Sequence, residues 1–165
     1  MSTRSYILME TETTENKHEY YGIYCHWDGY PAYNGNILLN HYKNRDKVEK
    51  LISLGDLSSL GPNIDPDPSQ PHSFDNDQPG VCVFYGRDRG EENVGPRMYN
   101  IFSLMIDSWA EYLYIYTLDG KWKVIDIYQD MKLQILEEPD QAYRRAMIRK
   151  AIEPVELTQE MCDAE

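Results

Sequence analysis

Tyr24-Cys25-His26-Trp27-Asp28-Gly29-Tyr30 is a dense run of side chains able to do chemistry. If the run begins as a strand, its period of two puts Tyr24, His26 and Asp28 on one face and Cys25 and Trp27 on the other. An imidazole two residues from a carboxylate can serve as a base with its orienter, or supply two metal ligands. A zinc site needs three or four ligands; His72 is a candidate third, though no spacing demands it. The structural alternative is a hydrogen-bonded pair that orders the turn. Cys25 is no nucleophile partnered by His26, because neighbouring strand residues point to opposite faces. Cys82, inside Val81-Cys82-Val83-Phe84-Tyr85, reads as a small buried apolar residue. There is no nucleophile elbow, zinc-protease helix or paired-carboxylate signature. No catalytic residue, cofactor or metal is therefore assigned.

Arg87-Asp88-Arg89-Gly90-Glu91 is a second candidate. Two arginines next to a glycine can clamp a phosphate or carboxylate bidentately. Asp88 and Glu91 can instead neutralise them in a charged turn. Neither glycine-rich phosphate-binding fingerprint is present. The third candidate is aromatic: 14 tyrosines stand against 3 tryptophans and 3 phenylalanines, an excess that suits stacking surfaces as well as cores. Tyrosines 20, 21, 24, 30, 33, 112, 114 and 116 could wall a nucleobase site, where each stacked base contributes roughly 1–3 kcal/mol. The alternative is an aromatic core with hydroxyls reaching solvent. The candidate ligand-binding set is Tyr24, His26, Trp27, Asp28, Tyr30, His72, Arg87, Arg89 and Arg97.

The elements that must position these residues follow from periodicity. Ser5–Glu10 and His18–Trp27 read as paired strands. Ile37, Leu38 and Tyr42, then Val48, Leu51, Ile52 and Leu54, have helical spacing, with Asn44 or Asp46 as a cap and Gly55 as a stop. Residues 62–80 hold five of the nine prolines and read as a long irregular loop, a length usually tied to function. Val81–Tyr85 reads as a buried strand and the charged run after it as a turn. Met98–Trp109 has helical spacing. Tyr112–Leu118 and Trp122–Tyr128 flank Asp119-Gly120, a strong hairpin signal. Asp140–Ile152 reads as a basic helix, and 153–165, with five acids and no base, as a frayed tail. The predicted fold is α+β: an antiparallel or mixed sheet of about five strands with helices packed on one face. Residues 1–136 make the domain and 137–165 a C-terminal helix and acidic tail.

At 165 residues the chain suits one domain with its own core. A formal net charge of −12 excludes nonspecific duplex DNA binding and leaves a local arginine-lined anion pocket, an acidic face toward a basic partner, or solubility alone. Three cysteines without paired spacing argue against a disulfide framework and for a reducing cytoplasm. MSTRSYILME lacks a signal-peptide core, and no apolar run reaches the roughly 20 residues of a membrane helix, so no membrane association is expected.

The opening MSTRS, GIYCHWDGYP, SLGDLSSLG and YGRDRGE together resemble a family of small proteins encoded by bacteriophages and prophages. The resemblance runs from Met1 to about Lys123 and leaves out the region from Asp140. It implies phage origin and an accessory role against host defences, and supplies no catalytic residues. Three functions follow as expectations. The first is a non-catalytic sponge that sequesters a small nucleotide-derived ligand. The second is an acidic inhibitor of a host defence nuclease. The third is a small nucleotide hydrolase using His26, Asp28 and His72. A homo-oligomer would enlarge the concave area available to a ligand.

Overall fold

In a computed structural model, residues 2–12, 18–127 and 154–164 are described. The helix expected over Asp140–Ile152 lies outside them. Strand β1 (Ser5–Met9) lies at the centre of the sheet, antiparallel to β2 (Glu19–Cys25) and parallel to β6 (Tyr112–Tyr116). Strand β7 (Trp122–Asp126) extends the sheet beyond β6 through the predicted Asp-Gly hairpin, with Gly120 at φ 80°. Beyond it β8 (Val155–Glu156) forms that edge. On the other side β2 shares its outer edge between two strands. Its first half pairs antiparallel with β5 (Arg97–Asn100), and Cys25 pairs parallel with β3 (Leu57–Ser59), which in turn pairs with β4 (Val83–Phe84).

The fold is the α+β class expected, with a mixed sheet, but it has eight strands rather than about five. The difference has a physical source. Strands β3, β4 and β8 have two or three residues each, too few to show a period of two. Strand β5 sits inside the run read as one helix from Met98; the chain is extended to Asn100, whose side chain accepts from Phe102 N and Ser103 N and starts α4 (Ile101–Asp107) there.

Alternation divides the core in two. Ile7, Ile23, Cys25, Tyr114 and Trp122 point to one face, where α1 (Asn36–His41), α2 (Arg45–Ser53) and α5 (Gln159–Asp163) cover them. Leu8, Leu113 and Ile115 point to the other, beneath α4. The one-face expectation thus describes the larger helical layer, and α4 covers the second face. Asn44, one of the two predicted caps, accepts from Lys47 N at 2.9 Å and begins α2. The tail is not frayed over its described part: Leu157 and Cys162 are buried in the larger core. Among the described residues no helix is long and apolar enough to cross a membrane.

Candidate functional site

Period two on three adjacent strands builds one surface. Arg4, Tyr6 and Leu8 share a face at β1, Tyr20, Gly22 and Tyr24 at β2, and Arg97 and Tyr99 at β5. The rings of Tyr6 and Tyr24 meet edge-on at 5.4 Å, and those of Tyr6 and Tyr99 at 5.0 Å. Tyr6 and Tyr99 stand on the two strands flanking β2, and the residue between them on that face is Gly22. A β-carbon there would run into Ile7 O and Leu8 of β1.

A hollow of about 480 Å³ opens on these tyrosines, bordered by Arg4, Arg97, Asp56, Asp107 and Trp109. It lies where the outer edge of β2 is interrupted. Strand β5 stops pairing at Gly22 and β3 begins at Cys25. In the gap the Asp56 carboxylate accepts the Tyr24 amide at 2.9 Å, replacing a ladder bond. Trp109, 82 % exposed just after α4, forms part of the rim.

The described arginines fall into two groups. Arg45, Arg87 and Arg89 each pair with a carboxylate, on Glu49, Asp88 and Glu91 respectively. Arg4 and Arg97 form no ion pair with a described residue. Arg97 donates to the Asn93 carbonyl at 2.7 Å, whereas the Arg4 Nε is buried without an acceptor. Burial raises the phenols of Tyr24 and Tyr99 to about 12, so both hydroxyls stay protonated. Tyr24 Oη and His26 Nδ1 share a hydrogen bond at 2.7 Å. Burial, and then the charge of Arg4, hold His26 below its ordinary pKa, so the ring is neutral at pH 7. Trp27, 43 % exposed, packs edge-on against His26 at 4.7 Å.

Of the sequence candidates, Tyr24 and Arg97 line the hollow, and His26 and Trp27 adjoin it through Tyr24. Asp28 and Tyr30 belong to a turn instead. Asp28 adopts φ 57°, Asn34 N donates to its carbonyl, and Tyr30 Oη reaches its carboxylate at 3.4 Å. No bond joins His26 to Asp28, so the orienting pair considered from spacing is not formed. The turn is fixed from below. The buried Asn34 side chain donates to Trp27 O at 3.2 Å, and Tyr114 Oη donates to Gly29 O at 2.6 Å. Much of the CHWDGYP motif therefore docks a turn onto the sheet. Tyr114→Phe should cost about 1–2 kcal/mol in chemical denaturation, because it leaves a buried carbonyl unpaired. Tyr112, Tyr114 and Tyr116 do share one face, as expected, but it is the covered one.

His72, Arg87 and Arg89 form a separate assembly. GRDR is the short helix α3 (Tyr85–Arg89) rather than a loose turn, and it ends at Gly90 with φ 74°. Arg87 donates to Ile64 O at 2.7 Å, Cys82 O at 2.9 Å and the Asp88 carboxylate at 2.9 Å. Asp88 also accepts Phe84 N at 2.8 Å and faces His72 Nε2 at 3.5 Å. His72 Nδ1 accepts the amide of Gln78, whose own side chain bonds Asp67 at both polar groups. The long 62–80 loop is thereby tied to α3 by hydrogen bonds to Arg87 and Asp88. Arg89 pairs with Glu91 and lies over the rings of Phe74 and Tyr85. The donors considered for an anion clamp are engaged inside the protein. Among the described residues no three His, Cys, Asp or Glu side chains gather as metal ligands, and His26, Asp28 and His72 do not converge.

Sequence reasoning missed Arg4, Tyr6, Asp56, Tyr99 and Trp109. The available signal was the Arg-x-Tyr spacing at both Arg4/Tyr6 and Arg97/Tyr99, which puts a guanidinium and a ring on one face wherever the chain is extended. A larger hollow, about 610 Å³, borders Met9, Glu12 and Arg45; Arg45 bonds Glu49 and Glu10 O there, and its Nη1 is buried without an acceptor, but no second arginine joins it. No protein-family model, no curated protein and no solved structure matches this chain.

Proposed function

We propose that the protein works by binding, without turnover, and that the hollow of Tyr6, Tyr24 and Tyr99 takes a small nucleotide-like ligand. The carrying observation is the pair of arginines without carboxylate partners at that hollow, one of them with a buried, acceptorless Nε. A buried donor without a partner costs about 1–3 kcal/mol, and a phosphate oxygen would remove that cost through a charge-assisted bond. Protonated tyrosines and a neutral imidazole next to the cations give a ring-stacking wall with hydroxyl donors. The overall charge of −12 favours a short ligand over a polynucleotide, because the two arginines of the hollow stand beside two carboxylates, Asp56 and Asp107, and offer only a local anion contact. The resemblance to phage-encoded proteins adds a context, sequestration of a nucleotide signal of host defence. The nuclease-inhibitor alternative has less support, because Val155–Asp163 includes an edge strand and a helix of this fold.

Calorimetry and thermal shift with nucleoside mono- and diphosphates, cyclic nucleotides and ADP-ribose test this reading. At least one should bind, and Arg4→Ala and Arg97→Ala should each weaken it about tenfold or more, the worth of one charged hydrogen bond. If no member of the panel stabilises the protein, the reading is wrong.

A further inference from the structure

We propose that Asp56 sets the specificity of the hollow and selects a guanine-type ring, one with two adjacent N–H donors on its edge. This rests on the nucleotide reading above and refines it.

Asp56 is held in place on every side but one. Its amide donates to Val94 O at 2.8 Å, and its carbonyl accepts Tyr85 N at 3.1 Å. Its Oδ1 accepts Tyr24 N at 2.9 Å, which fixes the plane of the carboxylate. Oδ2 has no hydrogen-bond or ion-pair partner among the described residues, and the group lines the hollow. An ionised carboxylate offers about four acceptor sites, and one is in use. Burial raises its pKa even against the Tyr24 bond and the charge of Arg97, so the carboxylate is short of solvent. Such a group gains most from N–H donors and repels phosphate oxygens.

The hollow therefore offers two kinds of contact: Arg4 and Arg97 attract the phosphate, and Asp56, within reach of the charge of Arg97, takes the ring edge, with Asp107 a second carboxylate in the lining. Among the common bases, guanine presents N1–H beside an exocyclic N2 amine, a donor–donor pair that matches the two oxygens of a carboxylate. Adenine and cytosine place a ring acceptor beside their amine, and that lone pair would face the carboxylate. Uracil flanks its N–H with two carbonyls. A site built around a polar edge rejects rings that leave it unpaired.

The test is calorimetric titration of GMP, IMP and AMP into the native protein and into Asp56→Asn. Asparagine keeps an oxygen for the Tyr24 amide, so the local backbone anchor remains, and a melting curve checks the fold. GMP should bind at least tenfold tighter than AMP, with IMP, which lacks the N2 amine, between them. In Asp56→Asn the preference for GMP over AMP should fall below threefold. Equal binding of GMP and AMP, tighter AMP, or an unchanged preference in Asp56→Asn would overturn the role of Asp56 while leaving the nucleotide reading intact. Binding of none of the three, or of any other nucleotide, would overturn both. Should Asp56→Asn fail to fold, the order GMP, IMP, AMP on native protein decides alone.

Discussion

Gly22→Ala should destabilise the protein by about 3 kcal/mol, at the upper end of the usual cost of inserting one methyl into packed structure. A β-carbon at this position would sit 2.2 Å from Ile7 O, 2.7 Å from Leu8 Cδ2 and 2.8 Å from Leu8 Cα. Two of those atoms are backbone of β1, and β1 is held on its far side by five registered pairs with β6. It cannot move off without loosening the centre of the sheet. Gly95→Ala is the control, since nothing lies within 4 Å of a β-carbon there. Urea denaturation of both variants gives the comparison. A loss below 1 kcal/mol for Gly22→Ala would mean that β1 and β2 separate more readily than their pairing implies.

Asp88→Ala should cost about 3–5 kcal/mol, the range for breaking a buried pair and leaving its partner unmatched. The Asp88 side chain is 5 % exposed, and four groups depend on it: the Arg87 guanidinium, the Phe84 amide, His72 and, through His72, the Gln78 amide. Without it the Arg87 guanidinium keeps only the carbonyls of Ile64 and Cys82 as acceptors, and the 62–80 loop loses its His72 contact with α3. Burial by itself would raise the Asp88 pKa, but the Arg87 and Phe84 hydrogen bonds and the Arg87 charge outweigh it and hold the carboxyl below its ordinary value. The folded state therefore binds this proton less readily than the unfolded chain. Its contribution is complete above the ordinary carboxylate pKa of about 4 and is lost as pH falls through the lowered folded value. Asp88→Asn should keep the Phe84 bond, cost less than alanine, and flatten the acid limb of the stability profile. An acid limb unchanged from the native protein would show that the stabilisation does not come from this carboxylate.

What could be read from the sequence follows the length of each signal. The β6–β7 hairpin, the β1–β2 pair and α2 with its Asn44 cap are carried by repeated local patterns, and each is present. The site was legible only in part. Tyr24 and His26 could be placed on one face because the aromatic and β-branched run that forms β2 reads as extended up to Cys25, next to His26. Arg97 could be named, but its neighbours could not, since Met98-Tyr99-Asn100 also fits a helix leading into Phe102 and Leu104. Pairing with β2 decides the extended form, and that is a tertiary effect. Arg87 and Arg89 were chosen for charge and proximity. No local rule shows that Ile64 O and Cys82 O, far apart in sequence, would converge on one guanidinium. Asp56 was hidden for a related reason: its role depends on a gap between two strands that sequence reasoning did not pair with β2.

The side-by-side alignment of β1 with β6 bears on how the molecule is made. A ribosome delivers Ser5 long before Tyr112, yet these two open the register of the innermost pair. The earliest strand must wait, with one edge unsatisfied, while a hundred-odd residues emerge. Assembly thus falls in the slow regime typical of distant pairings and finishes only after β6 has emerged.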